Sequence, residues 1–143
     1  LQTIVGSPSN GEAFVHQHTY TINGDGSINM TNEIQVNVAV RNLPRVGVSL
    51  SMPAGFETFE WYSRGPHENY LDRNAGAPVG RYSGTVDDQY VPYIMPQTNG
   101  NKTDVRQIWL QNADGHGLTV KADGIMEASA SHYSEDDLFA AMH

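Results

Sequence analysis

The chain has 143 residues, 38% of them hydrophobic and 17% charged, a composition typical of an ordinary folded domain. Sixteen acidic against eight basic residues give a formal net charge of -8, so we expect no nucleic-acid partner and no anionic membrane partner. No apolar run approaches the roughly 20 residues that a membrane-spanning helix needs. The absence of cysteine excludes a disulfide framework, cysteine-ligated zinc and a thiol nucleophile, but it leaves bacterial cytoplasm and periplasm both open.

The first strong local pattern is a hairpin. Residues 19–22 and 27–30 flank Asn23-Gly24-Asp25-Gly26, whose residues tolerate a positive φ and favour a tight turn. Apolar side chains then recur at every second position from Ile34 to Val40, which predicts a strand with one face in a core. A second alternation from Val46 to Met52 predicts an antiparallel neighbour of that strand.

The rest of the chain repeats short strand patterns. Ser134 lies three residues before an acid, a capping box that predicts one short helix near the end of the chain. Short strands separated by turn-forming residues, with almost no helical periodicity, predict an all-β antiparallel sandwich. The further predicted strands are 56–62, 90–95, 105–110 and 117–122, with a long connection over 63–88.

Three carboxylates are candidates for glycoside hydrolysis by residue type alone. That reaction needs two carboxyl groups roughly 5 to 10 Å apart across a sugar. Glu60, Glu68 and Asp72 lie near one another in the sequence, but spacing in a loop does not establish such a separation. We therefore interpret them as solvated surface groups and expect no catalytic residue in this chain.

A histidine pair is the one candidate metal site. His16 and His18 are two apart in a strand-like segment, so their rings project from the same face, as two metal ligands would. No third ligand is evident in the sequence. The pair is therefore interpreted as exposed side chains, and we expect no metal site and no cofactor in this chain.

The densest polar segment runs from Glu60 to Arg73 around one Gly-Pro turn, and it allows two interpretations. Aromatic faces beside polar side chains are typical of a sugar-binding cleft. The same residues can instead form a buried charge network of Arg64, Glu68 and Arg73 that fixes a long loop, which is the favoured interpretation. The candidate substrate-binding residues are Arg64, His67, Glu68, Asn69, Tyr70, Asp72 and Arg73.

Three ordered motifs carry a family resemblance. Trp61-Tyr62-Ser63-Arg64-Gly65-Pro66-His67-Glu68-Asn69-Tyr70, followed by Asp72-Arg73, resembles the W-x-G-R-G-P-x-E-N-Y-x-D-R signature of the β-galactosidase small-chain domain, with Ser63 in place of the usual glycine. Leu43-Pro44-Arg45-Val46-Gly47 and Pro92-Tyr93-Ile94-Met95-Pro96-Gln97-Thr98-Asn99-Gly100 resemble two further motifs of that domain, with Thr98 in place of an acid. The resemblance covers the chain from about Phe14 to His143.

The resemblance implies the C-terminal β-sandwich of a glycoside hydrolase family two β-galactosidase, a supersandwich related to galactose mutarotase. In such enzymes the two catalytic glutamates lie on a separate upstream barrel, and no glutamate of this chain matches them. We therefore expect residues 1–143 to be one partial domain, the middle of the small-chain domain within a longer chain. The fragment alone is expected to be inactive.

The expected function is to support the catalytic barrel and to shape its sugar site. The expected partners are the remaining domains of the parent enzyme and, through it, galactosides. A divalent or monovalent metal in the parent is left open, as is a homo-oligomer. The alternatives are a free-standing carbohydrate-binding or mutarotase-like module, for which His67 and Glu68 supply an acid and a base, and a structural assembly domain.

Overall fold

The computed structural model describes residues 2–7, 11–38, 40, 43 and 45–141. The chain divides into two compact units, Leu1–Leu50 and Ser51–His143. Within the described residues, no helix has the length and apolar character needed to cross a membrane.

The first unit is a three-stranded antiparallel sheet. Strands β1 (Gln2–Ser7), β2 (Gly11–Ile22) and β3 (Ile28–Val36) lie in the order β1-β2-β3. Ile22 pairs with Ile28, so the predicted hairpin is confirmed. The sequence patterns do not predict strand β1.

The hairpin turn is stabilised by local hydrogen bonds. The Asn23 amide donates to the Ser27 carbonyl at 2.9 Å, and Gly26 has a φ of 85°, which glycine adopts without steric cost. The Asp25 carboxylate accepts from the Ser27 amide at 2.9 Å and from the Ser27 hydroxyl at 2.7 Å. These two bonds lower the pKa of Asp25.

Of two strand predictions in this part of the chain, the first is correct only as far as Val36 and the second is wrong. The strand predicted over residues 34–40 stops at Val36, because its partner residue on β2, Phe14, is near the start of that strand. Val38 beyond it is 94% exposed, so the alternation does not continue into a core. Residues 46–52 form no strand, since alternation produces a strand only where a neighbouring strand supplies hydrogen bonds.

The second unit is a four-stranded antiparallel sheet in the order β5-β4-β6-β7. Its strands are β4 (Thr58–Arg64), β5 (Val79–Thr85), β6 (Lys102–Gln111) and β7 (Gly117–Ala128). Central strand β4 buries alternate residues, and Phe59 and Trp61 form the core cluster together with Val86. This buried face is what the aromatic and β-branched composition of the segment predicts.

The long connection predicted over residues 63–88 is wrong over residues 79–85. Strand β5 lies there and pairs with β4 along the whole length of β5. Two 3₁₀ helices flank β5, at Leu71–Gly76 and Asp87–Gln89. The strand predicted over 90–95 is also wrong. There the Tyr93 amide donates to the Val91 carbonyl at 2.8 Å, a tight turn that no ladder continues.

The predicted helix is confirmed as α1 (Glu135–Ala140). The Ser134 hydroxyl accepts from the Asp137 amide at 3.1 Å, and the Asp137 carboxylate accepts from the Ser134 amide at 2.9 Å. This reciprocal capping box satisfies amides that the first helical turn leaves without partners. Among the described residues the strands form antiparallel sheets and α1 is the one α-helix, which confirms the predicted all-β fold class.

Candidate functional site

The predicted site residues lie on the connection between β4 and β5. It passes through a cis peptide bond between Gly65 and Pro66 and then the Leu71–Gly76 helix before β5 begins. The Gly65 position is closed to any side chain, because an added Cβ would lie 2.7 Å from the Tyr82 ring and 2.9 Å from the Trp61 indole nitrogen. We call residues 64–77 the β4–β5 loop.

Arg64 fixes the far end of this loop. Its Nε donates to Asp104 Oδ2 at 2.6 Å, and its Nη1 donates to the carbonyls of Asn74 and Ala77 at 3.2 and 3.0 Å. Both charged side chains are about three-quarters buried. One guanidinium therefore holds strand β6 and two backbone carbonyls of the loop, a use of several fixed donors that lysine cannot reproduce.

Asp104 reaches Arg64 because β6 is irregular. The pairing of β6 with β7 shifts register between Lys102 and Val105, and Asp104 has a φ of 52°. A bulge of this kind changes the direction of side chains along a strand. Lys102, Thr103 and Val105 are consequently all buried, which strict alternation does not allow.

Asn69 lies at the centre of the loop and is 1% exposed. Its amide donates to the Asn101 carbonyl at 2.7 Å, and the Asn101 side chain donates back to the Asn69 carbonyl at 3.0 Å. The Asn69 side chain donates to Asn74 Oδ1 at 2.6 Å and to the Thr103 hydroxyl. A buried polar network with these partners satisfied rigidifies the loop against β6.

Glu68 binds hydroxyl and amide donors. Its carboxylate accepts from the Gly100 amide at 2.9 Å, from the Tyr70 hydroxyl at 3.3 Å and from the Tyr93 hydroxyl. Burial, followed by the Glu68 charge, raises the pKa of Tyr70 to about 12. The hydrogen bond to Glu68 likewise raises the pKa of Tyr93, so both phenols stay protonated donors at neutral pH.

Arg73 and Asp72 are exposed. Arg73 Nε lies 3.5 Å from Asp72 Oδ1, and the guanidinium lies 4.9 Å from the centre of the Tyr70 ring. The predicted single buried charge network of Arg64, Glu68 and Arg73 is therefore wrong, because Arg73 is exposed and no ion pair joins these three residues in the described part of the chain. Glu68 and Arg73 both contact Tyr70, whereas Arg64 binds Asp104. The loop is instead held by neutral hydrogen bonds around Asn69 and by the ion pair of Arg64.

The remaining candidates are placed as follows. His67 is exposed at the rim of a cleft that Glu68 also lines. Glu60 accepts from Arg81 at 2.9 and 3.2 Å, an ion pair that supports the sheet. Each of the three candidate carboxylates therefore already has its own protein partners. Glu60 accepts from Arg81, Glu68 accepts from hydroxyl donors, and Asp72 lies beside Arg73.

Sequence reasoning missed Lys102, which is 1% exposed. Its ammonium lies 4.6 Å from the centre of the Trp61 ring and donates to the Pro66 carbonyl at 3.4 Å. Burial lowers the pKa of Lys102 to about 8, and the Glu68 charge partly opposes that shift. The sequence signal was weak, because a lysine just before a predicted strand is ordinarily a solvated residue.

His16 and His18 share one face of β2, as predicted, with ring centroids 3.6 Å apart. His16 Nε2 lies 3.1 Å from Asn32 Oδ1 on β3. Over the part of the chain that the structure describes, no three His, Cys, Asp or Glu residues are grouped so as to hold a metal ion.

The family assignment follows from comparison with known proteins. The family model described as β-galactosidase small chain matches residues 3–143, which includes the whole β4–β5 loop and all three motifs. This chain belongs to the β-galactosidase small-chain family. The recognition made from the motifs is therefore confirmed.

Similar full-length proteins are themselves named β-galactosidases. The chain is 38% identical to one from Priestia megaterium over 125 residues, 87% of this chain and 12% of that protein. It is 40% identical to one from Vibrio cholerae over 124 residues, 87% of this chain and 11% of that protein. This chain thus spans about one eighth of the length of these relatives.

Proposed function

We propose that this chain acts as a non-catalytic small-chain region of a β-galactosidase, where it supports the catalytic barrel and shapes the mouth of the sugar site. The observation that carries the proposal is the β4–β5 loop, which is rigidly fixed while its carboxylates are engaged by protein donors. Such a loop can present a defined surface to a neighbouring domain, but it offers no free pair of opposed carboxylates.

The parent activity proposed is hydrolysis of terminal β-galactosides, with the parent's other domains as the partners of this chain. The length of the relatives supports this, because 87% of this chain aligns with only 12% of the Priestia megaterium protein.

A mutarotase-like module is the weaker alternative. That reaction needs a free general acid and a free general base on the two sides of an anomeric carbon. The Glu68 carboxylate already accepts from Gly100, Tyr70 and Tyr93, whereas His67 lies exposed. This occupancy of Glu68 favours the supporting role.

The test uses the full-length β-galactosidase that contains this chain. Asn69→Ala should leave several buried groups without partners, at a cost of about 1–3 kcal/mol, and should loosen the loop. If the loop shapes the sugar site, KM for a nitrophenyl galactoside rises at a temperature where the variant enzyme is still folded. The matched control is Asn29→Ala at an exposed position on β3, which should leave KM unchanged.

Two results would contradict the proposal. One is an Asn69→Ala enzyme with unchanged kinetics and unchanged thermal inactivation. The other is galactoside hydrolysis by this chain alone that survives repurification, because a non-catalytic region supplies no nucleophile or acid.

A further inference from the structure

The second unit contains a cleft of about 330 Å³ between the start of the β4–β5 loop and the segment around the Asp87–Gln89 helix. Pockets that bind small molecules begin at about this volume. Its polar or aromatic lining residues include Trp61, His67, Glu68, Asp88, Gln89 and Lys102. The proposed function does not use this cleft.

Two buried donors on its wall lack adequate acceptors. The Lys102 ammonium carries three N–H groups, and the one hydrogen bond it makes within the described part of the chain, to the Pro66 carbonyl, is long at 3.4 Å. The indole nitrogen of Trp61, a residue only 2% exposed, has no hydrogen-bond partner among the described residues. A buried donor without an acceptor is destabilising, so an acceptor oxygen in the cleft beside Lys102 would be stabilising.

The charges around the cleft select the kind of acceptor. Glu68 and Asp88 both line it, so two carboxylates oppose the single buried ammonium. An anionic ligand would be repelled by this excess negative charge. A hydroxyl group suits the cleft better, because it accepts from Lys102 and can also donate to carboxylate or carboxamide oxygens such as those of Asp88 and Gln89.

We propose that the cleft binds one neutral polyhydroxyl molecule of monosaccharide size, with an oxygen of the ligand accepting from the Lys102 ammonium. The Trp61 ring lies against that ammonium, so the indole signal of Trp61 reports on ligand binding at Lys102. Binding at this cleft goes beyond the proposed supporting role and does not depend on it.

The chain provides an internal control for detecting such binding. It has two tryptophans, and Trp109 pairs across the sheet with Glu60 and contacts Arg81, on the face opposite to Trp61. Each indole N–H gives its own nuclear magnetic resonance signal, which Trp109→Phe assigns. Titration with methyl β-D-galactopyranoside, which cannot form an imine with an amine, should shift the Trp61 signal saturably at millimolar concentration and leave Trp109 unmoved.

Charge selectivity and one substitution complete the test. The C6 carboxylate analogue of the same glycoside should bind at least about tenfold more weakly, which corresponds to about 1.4 kcal/mol. Lys102→Met should also weaken binding of the neutral glycoside at least tenfold, whereas Lys121→Met at an exposed position on β7 should not.

The proposal fails if the Trp61 signal does not move saturably, if Trp109 moves equally, or if the carboxylate analogue binds better. It also fails if a folded Lys102→Met variant binds as tightly as wild type. If Lys102→Met does not fold, the Trp61 titration of the wild-type chain decides alone. None of these outcomes bears on galactoside hydrolysis by the full-length enzyme, which tests the supporting role separately.

Discussion

Arg64 and Asp104 are 40 residues apart in the sequence, yet Arg64 Nε lies 2.6 Å from Asp104 Oδ2. Arg64 is the last residue of β4, and Asp104 lies at the bulge of β6, so the ion pair joins two neighbouring strands where their pairing ends. The same guanidinium binds two loop carbonyls. A single side chain thereby couples the path of the β4–β5 loop to an irregularity in another strand.

Arg64→Met should therefore destabilise the chain by about 1.5–3 kcal/mol, the usual contribution of hydrogen bonds to charged groups. The substitution leaves Asp104 and the carbonyls of Asn74 and Ala77 without their donor. Arg73→Met is the matched control, since its ion pair with Asp72 is exposed and contributes about 1 kcal/mol or less. Urea denaturation of both variants measures the difference, and equal losses of stability would contradict the assigned role of Arg64.

Glu68→Gln should lower the pKa of Tyr70 from about 12, because the negative charge of Glu68 contributes to that value after burial. The substitution preserves the size of the side chain, so burial should stay the same and only part of the shift should be lost. Spectrophotometric titration of the phenols, with Tyr70→Phe to assign the signal, measures the change. A pKa of Tyr70 unaltered by Glu68→Gln would show that the charge of Glu68 has no influence there.

The sequence predicts best what nearby residues determine. The hairpin turn at Asn23 to Ser27 and the capping box of Ser134 and Asp137 are held by hydrogen bonds within five residues, and both predictions are confirmed. The alternation of apolar residues over 46–52 is also a local pattern. A strand, however, needs a neighbouring strand that supplies its hydrogen bonds, and local sequence does not specify that neighbour.

The site residues, too, are predicted only as far as nearby residues determine their contacts. The 60–73 segment does form many hydrogen bonds, with residues 60–64 on β4 and the rest in the β4–β5 loop, but its partners Asp104, Thr103 and Gly100 lie 32 to 40 residues away. The bulge in β6 decides which of these side chains face the loop, and alternation does not predict a bulge. The sequence therefore predicts a network of the segment's own charged residues, although the central residue of the network is the neutral Asn69.

His132 should make stability depend on pH near neutrality. Its Nε2 lies 2.8 Å from Glu57 Oε2 and its Nδ1 lies 3.0 Å from Asp87 Oδ1, and only the protonated ring can donate from both nitrogens. The hydrogen bond to Glu57 chiefly raises the pKa of His132 in the folded chain. The stabilisation is therefore complete below the unfolded value of about 6.5 and is lost as pH rises through the raised pKa.

This pH dependence is measured by thermal unfolding of wild type and His132→Gln, at pH values from below 6.5 to above the raised pKa of His132. The difference in Tm between the two should be largest at acidic pH and should shrink as pH increases. His116→Gln, at an exposed position in the turn before β7, serves as control and should show no such trend. A difference for His132→Gln that grows with pH would contradict the two-carboxylate arrangement.

Lys102 should produce the opposite trend at higher pH. Burial lowers its pKa from 10.5 to about 8 in the folded chain, so between these values the unfolded chain binds more protons than the folded one. The free energy of unfolding should therefore rise with pH across that window, relative to Lys102→Met, which has no group to titrate. The rise is at most about 3 kcal/mol, since one pKa unit corresponds to about 1.4 kcal/mol.

Lys102→Arg distinguishes a titrating buried amine from other alkaline effects, because a guanidinium keeps its charge throughout the window. The Arg variant should therefore show the same flat dependence as the Met variant. Lys121→Met, which removes an exposed lysine of β7, should retain the rise seen in wild type. Urea denaturation at several pH values between about 7 and 10.5 measures all four proteins. If wild type and Lys102→Met change in parallel across this range, the ammonium of Lys102 is solvated in the folded chain and is not held against the Trp61 ring.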